Sequence, residues 1–401
     1  MDNEHKPLIR LIGIGMDGGT TLTEAARTAI DEADAVFGAK RVTEPFSGGP
    51  APVFNTWKAD EISEIIKREN FRNICVLMSG DCGFYSGASR LIDKLPGFEV
   101  EVIPGISSVS YFAAKIKIPW QDMKFVSLHG VENSIVRNVR RNRYCFFLLG
   151  GDVSAVHLCG ELCDYGLRET KVYIGENLGY PTEHIVSGAA WEFVSTRFEK
   201  LCVLVTDNPD YERSAPFGID DSEFLRVSGI PMTKSEVRAV VMSKLAVGDG
   251  DICWDIGCGT GSVTVEMALQ CGSGRVYGAE ISDVAADLTG RNCIKFGCDN
   301  VRAYYGKAPD ILEDFPAPDC VFIGGSGGKL AEILKAVFGA AKRGARIVVT
   351  AVTLDTLETV RRAFAEHGVT PEIVQCAFTR VNDWSMMSAL NPIFIIKGVK
   401  Q

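Results

Sequence analysis

The sequence predicts an α/β protein built from two domains. Short apolar runs alternate with helix-patterned stretches from residue 8 to 206, and a second such series runs from about residue 226 to the end. Between them lies DNPDYERSAPFGIDDSEF, polar, acidic and carrying two prolines. Strand–helix alternation is the pattern of α/β architecture, and a polar interval with prolines is the pattern of a connector. A chain of 401 residues is also long for one domain. The expected division is residues 1–206, a linker at 207–225, and residues 226–401.

In the first half the expected strands are 8–15 (LIRLIGIG), 73–80, 98–105, 144–151, 170–176 and 200–206. They are rich in Val, Ile, Leu and Phe, as strands covered by helices on both faces are. Thr23 is placed to cap a helix over EAARTAIDEADAVFGAKR. In the second half IPMTKSEVRAVVMSKL reads as a leading helix, with Thr233 or Ser235 as cap and Glu236 in its first turn. Strands are then expected at 251–257, 274–280, 299–306, 318–325, 345–352 and 392–398. The intervening SVTVEMALQ and KLAEILKAVFGAAK carry apolar residues at helical spacing. The two halves do not read as copies of each other.

Composition narrows the function classes. With 46% hydrophobic and 23% charged residues the chain is not disordered, collagenous or coiled-coil. A net charge of −9 argues against a nucleic-acid-binding face. No apolar run approaches the ~20 residues that span a bilayer. The opening MDNEHKPLIRLIGIG lacks a signal-peptide pattern, so a cytoplasmic protein without membrane contact is expected. The thirteen cysteines include no CxxC pair, and Cys75, Cys145, Cys202, Cys253 and Cys320 sit inside apolar runs. They read as buried free thiols. The five histidines show no HxH or HExxH spacing, so no metal site is expected.

The strongest local signal is WDIGCGTGS at 254–262. An apolar strand ends in Asp255 and runs through Gly257, Cys258, Gly259, Thr260 and Gly261 into a helix. Such a turn lets a ligand approach the backbone, at the strand ends where open α/β sheets bind nucleotides. Glu280, ending the next strand, is placed to accept hydrogen bonds from two ribose hydroxyls. Gly306, Lys307 and Ala308 at the following strand end could form an edge for adenine. A glycine turn after a strand is also a common structural turn; Asp255 and Glu280 favour the nucleoside site. These residues resemble class I S-adenosylmethionine-dependent methyltransferases. PMTKSEVRA, GKAPD, DCVFIGGSGG and VVTAVTLDT follow the same order as in the decarboxylating precorrin methyltransferase domains of cobalamin biosynthesis, which residues 226–401 resemble. The resemblance implies donor contacts from Thr233, the 257–261 loop, Glu280 and Ala308. It also implies that Gly324, Gly325, Ser326 and Gly327 face a tetrapyrrole. Lys234, Arg238 and Lys329 are the nearby cations that could receive its carboxylates.

In the first half LIGIGMDGGTTLT, SGDCGFYSGASRLIDKLP, VIPGISSVSYFAAKIKIPW, VSLHG and IGENLGYPTE resemble the tetrapyrrole methylases, in particular those acting at carbon 5 of a precorrin. The resemblance covers about 8–206 and implies S-adenosylmethionine contacts from Met16, Gly80, Asp81, Phe84, Ser107 and Ser108. Met16 and Cys82 stand where that family has proline, which removes a fixed φ from each turn. His129 and Asp81 are the candidate catalytic groups, although a histidine near a strand end and an aspartate after glycine also serve structure. The chain as a whole resembles fused precorrin methyltransferases. That implies two S-adenosylmethionine sites per chain, a small tetrapyrrole substrate and association into a homo-oligomer. A class I RNA or protein methyltransferase with an unrelated N-terminal binding module is the competing reading, and donor stoichiometry separates the two.

Overall fold

The structure is a computed structural model that describes residues 6–130, 132–151, 153–212, 218–381 and 385–401. The chain forms two compact units. One comprises residues 1–131, 143–160 and 169–208, and the other comprises 132–142, 161–168 and 209–401.

The first unit holds two sheets. The first sheet consists of β1 (Leu8–Gly13), β2 (Ala35–Phe37), β3 (Val53–Phe54), β4 (Asn73–Met78) and β5 (Glu99–Ile103), in the order β3-β2-β4-β1-β5. All its pairings are parallel. Side chains of a strand alternate between faces. Ile9 and Leu11 therefore join one core with Ile62 and Ile66, while Ile12 joins another with Ala26 and Ile30. That two-sided burial is why β1 reads as a continuous apolar run. The second sheet is mixed. It contains β6 (Met123–Ser127), β7 (Tyr144–Leu148), β8 (Lys171–Glu176), β9 (His184–Ala189) and β10 (Cys202–Asp207), in the order β6-β7-β10-β8-β9. The strands β2, β3, β6 and β9 were not anticipated. The first two are too short to show a period, and β9 is an edge strand without a fully buried residue.

In the second unit β11 (Ile252–Ile256), β12 (Arg275–Glu280), β13 (Val301–Tyr305), β14 (Cys320–Ile323), β15 (Arg346–Ala351), β16 (Glu372–Cys376), β17 (Thr379–Val381), β18 (Met387–Ala389) and β19 (Ile393–Val399) follow one another. The main sheet has the order β13-β12-β11-β14-β15-β19-β16. Its first five strands are parallel, and β19 runs antiparallel to both its neighbours. Strand order reverses at β11, between β12 and β14. That makes the carboxyl end of β11 the switch point where open α/β sheets bind ligands. The strands β17 and β18 form a separate hairpin.

The expected linker at 207–225 is largely built into the structure. The strand β10 runs through Asp207, residues 213–217 lie outside the described residues, and Ile219 and Phe224 enter the same core as Val237 and Val241. The cap of the helix Ser235–Leu245 also differs from expectation. Lys234 holds the cap position without a side-chain bond. Asp221, within the supposed linker, accepts the Ser235 N–H at 3.0 Å instead. Thr23 does cap its helix, accepting from the Ala26 N–H, but that helix ends at Asp31, and β2 and a separate short helix, Lys40–Thr43, occupy the rest of the expected run.

Candidate functional site

A cavity of about 230 Å³ opens at the carboxyl ends of β11, β12, β13 and β14. Thr233, Gly257, Cys258, Gly259, Glu280, Gly306, Ala308 and the 324–327 turn all line it, as the motifs suggested. Thr260, Gly261 and Lys234 do not. Gly257, Gly259 and Gly261 each have positive φ. A Cβ on Gly257 would fall 2.7 Å from the Gly325 backbone, and one on Gly259 would fall 2.9 Å from the Pro231 carbonyl. The turn therefore requires glycine for both conformation and clearance. It brings the loops after β11 and β14 into contact.

Glu280 is buried, and its oxygens are already oriented. Oε2 accepts the Gly259 N–H at 2.8 Å, and Oε1 accepts the Ser282 N–H at 3.0 Å. A carboxylate has about four acceptor positions, so two remain for hydroxyls entering the cavity. Asp255, one residue before the cavity lining, is buried too. Its Oδ2 accepts from the Thr264 hydroxyl, and its Oδ1 has no partner among the described residues. Burial, with the Glu280 charge adding to it, pushes this carboxyl up to about 7. Burial and the Asp255 charge push the Cys258 thiol well above its ordinary range, which makes it a neutral wall rather than a nucleophile.

The first unit contains a cavity of about 550 Å³ lined by Met16, Gly80, Asp81, Phe84, Ser108 and His129, among others. Three loops meet beside it. Gly15 and Gly80 exchange backbone hydrogen bonds at 3.1 and 2.8 Å. A Cβ on Gly105 would fall within 2.4 Å of both the Gly80 and Gly13 carbonyl oxygens. Asp81 ties this junction together, its Oδ1 accepting from Gly83 N–H at 2.8 Å and its Oδ2 from Gly105 N–H at 3.0 Å. Ser107 is absent from the lining. It caps the helix Ser108–Ile116 by accepting the Ser110 N–H. The His129 ring lies so close to Gly150 that a Cβ there would fall 1.9 Å from Nδ1. Where proline is missing at Met16, the turn is held by Thr21, whose hydroxyl accepts the Met16 N–H at 2.7 Å. Asp17 braces the same turn. Burial raises its carboxyl, but hydrogen bonds from Gly19, Thr20 and Thr21 outweigh that and lower it to about 2.

Residues 9–193 match the family model of the tetrapyrrole (corrin/porphyrin) methylases, and residues 226–398 match that of the precorrin methyltransferase domain. A precorrin-6Y C(5,15)-methyltransferase (decarboxylating) from Sinorhizobium sp is 30% identical over 357 residues, spanning 87% of this chain and 86% of that protein. The chain belongs to the precorrin-6Y C5,15-methyltransferase (decarboxylating) family. A probable cobalt-precorrin-6B C(15)-methyltransferase (decarboxylating) from Pyrobaculum calidifontis is 44% identical over 184 residues, 45% of this chain and 94% of that protein. A solved precorrin-6Y C5,15-methyltransferase from Geobacter metallireducens GS-15 is 39% identical, covering 46% of this chain and 97% of that one, with a TM-score of 0.44.

One expectation for this family member is overturned. Arg238 cannot receive a substrate carboxylate, because it is fully buried. Its Nε pairs with Glu266 at 2.6 Å and its Nη1 with Asp221 at 3.4 Å. It also donates to the carbonyls of Thr233 and Ile219, and its guanidinium lies over the Phe224 ring. Through the Thr233 carbonyl it positions a residue of the cavity wall. Lys234 approaches Asp221 at 3.9 Å, and Lys329 pairs with Glu332 at 3.5 Å; neither lines the cavity. Sequence reasoning missed Arg41 and the 198–203 segment, which line the larger cavity. Arg41 lies in the short helix Lys40–Thr43 after β2, where the sequence pattern suggests one continuous helix from Thr23, so no local signal marks it.

Proposed function

We propose that the chain is a bifunctional S-adenosylmethionine-dependent methyltransferase acting on a precorrin-6 type tetrapyrrole in cobalamin biosynthesis. The first half methylates carbon 5. The second half methylates carbon 15 and removes the carboxyl group of the ring C acetate. The observation that carries this reading is a pair of cavities, one in each unit, each beside glycine turns at the carboxyl ends of parallel strands. The family match on residues 9–193 leaves the competing reading of an unrelated N-terminal module without support.

The residues of the smaller cavity fit the donor. Glu280 keeps acceptor capacity for the ribose hydroxyls, and the glycines at 257 and 259 leave room for a ligand against the backbone. The donor supplies an activated methyl group on a sulfonium. A ring carbon of the macrocycle forms the new bond as the carbon–sulfur bond breaks, and sulfur leaves as a neutral thioether. The protein's contribution is alignment, which needs rigid turns more than a strong base. Loss of carbon dioxide leaves an electron pair that the conjugated ring accepts, and a proton then completes the product.

Two donor sites per chain follow from this reading. Isothermal titration of the full chain with S-adenosylhomocysteine is expected to fit two equivalents. Glu280→Ala, which loses one or two hydrogen bonds to a charged group, should weaken one of them about tenfold to hundredfold. A single equivalent, or two equivalents untouched by the substitution, overturns the assignment.

A further inference from the structure

We propose that Arg41 receives a carboxylate of the ligand bound in the cavity of the first unit. The proposal rests on the functional reading above and names a specificity residue that reading lacks. Arg41 lines the cavity beside Ser79 and Gly80. Its Nη1 donates to the Tyr180 hydroxyl at 2.8 Å and its Nη2 to the Ser79 hydroxyl at 3.2 Å. Both acceptors are neutral. Among the described residues no carboxylate pairs with this guanidinium, whereas Arg10, Arg238, Arg346 and Arg380 all do so in this chain.

The two hydroxyls act as an orienting clamp. Ser79 follows β4, and Tyr180 belongs to a turn closed by its own N–H bonding the Asn177 carbonyl and by its carbonyl accepting from Glu183 N–H. An arginine carries five N–H donors in a rigid fork that matches a carboxylate. Two donors are spent on the clamp, so a fork held in a fixed direction keeps donors and an uncompensated charge. Lys200 also lines the cavity, but Glu199 beside it carries the opposing charge on that wall. Among the described residues the other acidic lining residue, Asp81, has both oxygens bonded to backbone N–H groups. Among the described residues the larger cavity therefore has one positive group held by neutral partners and facing a ligand. Either source of carboxylate fits that chemistry: an acidic side chain of the tetrapyrrole, or the amino-acid carboxylate of the methyl donor.

The test uses the full chain with Arg41→Gln and Arg41→Lys, checked by thermal unfolding to match the parent. In the substrate arm, carbon 5 methylation is followed by mass spectrometry with the acid tetrapyrrole and with its fully esterified form. In the donor arm, titration compares S-adenosylhomocysteine with 5′-methylthioadenosine, which lacks the carboxylate. Arg41→Gln is expected to raise KM for the acid substrate about tenfold to hundredfold with little change in kcat. The esterified substrate should not distinguish it from the parent, and Arg41→Lys should fall between. A loss confined to S-adenosylhomocysteine binding would equally support the proposal and assign the carboxylate to the donor. Parent-like behaviour of Arg41→Gln in both arms overturns it. A parent enzyme that methylates no tetrapyrrole would instead refute the functional reading.

Discussion

Replacing Asp255 with asparagine should change how stability depends on pH. The carboxyl is fully buried, and burial with the nearby Glu280 charge lifts it from 3.8 to about 7. A group raised in the folded state contributes its stability below its unfolded value and loses that contribution as pH rises through its folded value. The loss therefore falls between about pH 4 and about pH 7. Roughly three units at about 1.4 kcal/mol each amount to a cost of about 4 kcal/mol for the ionised side chain. Asparagine keeps an oxygen for the Thr264 hydroxyl but places an amide donor where Oδ1 has no partner, a cost of about 1–3 kcal/mol at every pH. Near pH 5, where the aspartate is mostly neutral, the variant should match or trail the parent. Near pH 8 it should be more stable by roughly 1–3 kcal/mol. Urea unfolding followed by tryptophan emission reads this, with the fully buried Trp254 adjacent to the substitution. Taking the difference between variant and parent cancels the titrating groups that do not interact with Asp255. Stability curves that run parallel across this range would show that Asp255 does not titrate there, and the burial argument would fail.

Two further outcomes are expected. Arg238→Met leaves the buried Glu266 without its cationic partner, while Asp221 keeps Arg380, and should cost about 3–5 kcal/mol in urea unfolding, whereas a loss below about 1 kcal/mol would show that the network is replaceable. Burial holds the thiols of Cys75, Cys82, Cys145, Cys202 and Cys293 at about 12, so in the native protein a thiol-exchange reagent near neutral pH should label only the partly exposed Cys163 and Cys376 quickly, with all thirteen reacting after denaturation; fast native labelling of Cys82 or Cys293 would refute this.

The fold was legible where the backbone imposes a local requirement. The run LIRLIG is apolar because both faces of β1 are covered, and the turn after β11 is glycine because positive φ and a neighbouring backbone exclude a Cβ. Such constraints are written into a few consecutive residues. What escaped depends on partners distant in the chain. The strand AVF is too short to have a period and exists because β3 and β4 flank it. The expected linker reads as polar because, among its described residues, only Ile219 and Phe224 enter that core, yet they bring Asp221 to the end of the helix Ser235–Leu245. Composition averaged over a window conceals two anchoring residues.

The two arginines show why charge at a site is harder to read than shape. Arg238 sits in a motif at the entrance to the nucleoside turn, and its position in sequence made it a natural receiver of substrate carboxylates. Its partners, Asp221 and Glu266, lie on either side in the chain and close over it, so its charge is consumed inside the protein. Arg41 carries no motif, and its partners Ser79 and Tyr180 are 38 and 139 residues away. Those partners are hydroxyls, which orient a guanidinium without neutralising it. Whether an arginine serves the core or the ligand is decided by the charge of what surrounds it, and that surrounding is assembled only by the tertiary fold. A glycine turn needs no such assembly, because its requirement is met by its own φ and the space beside it.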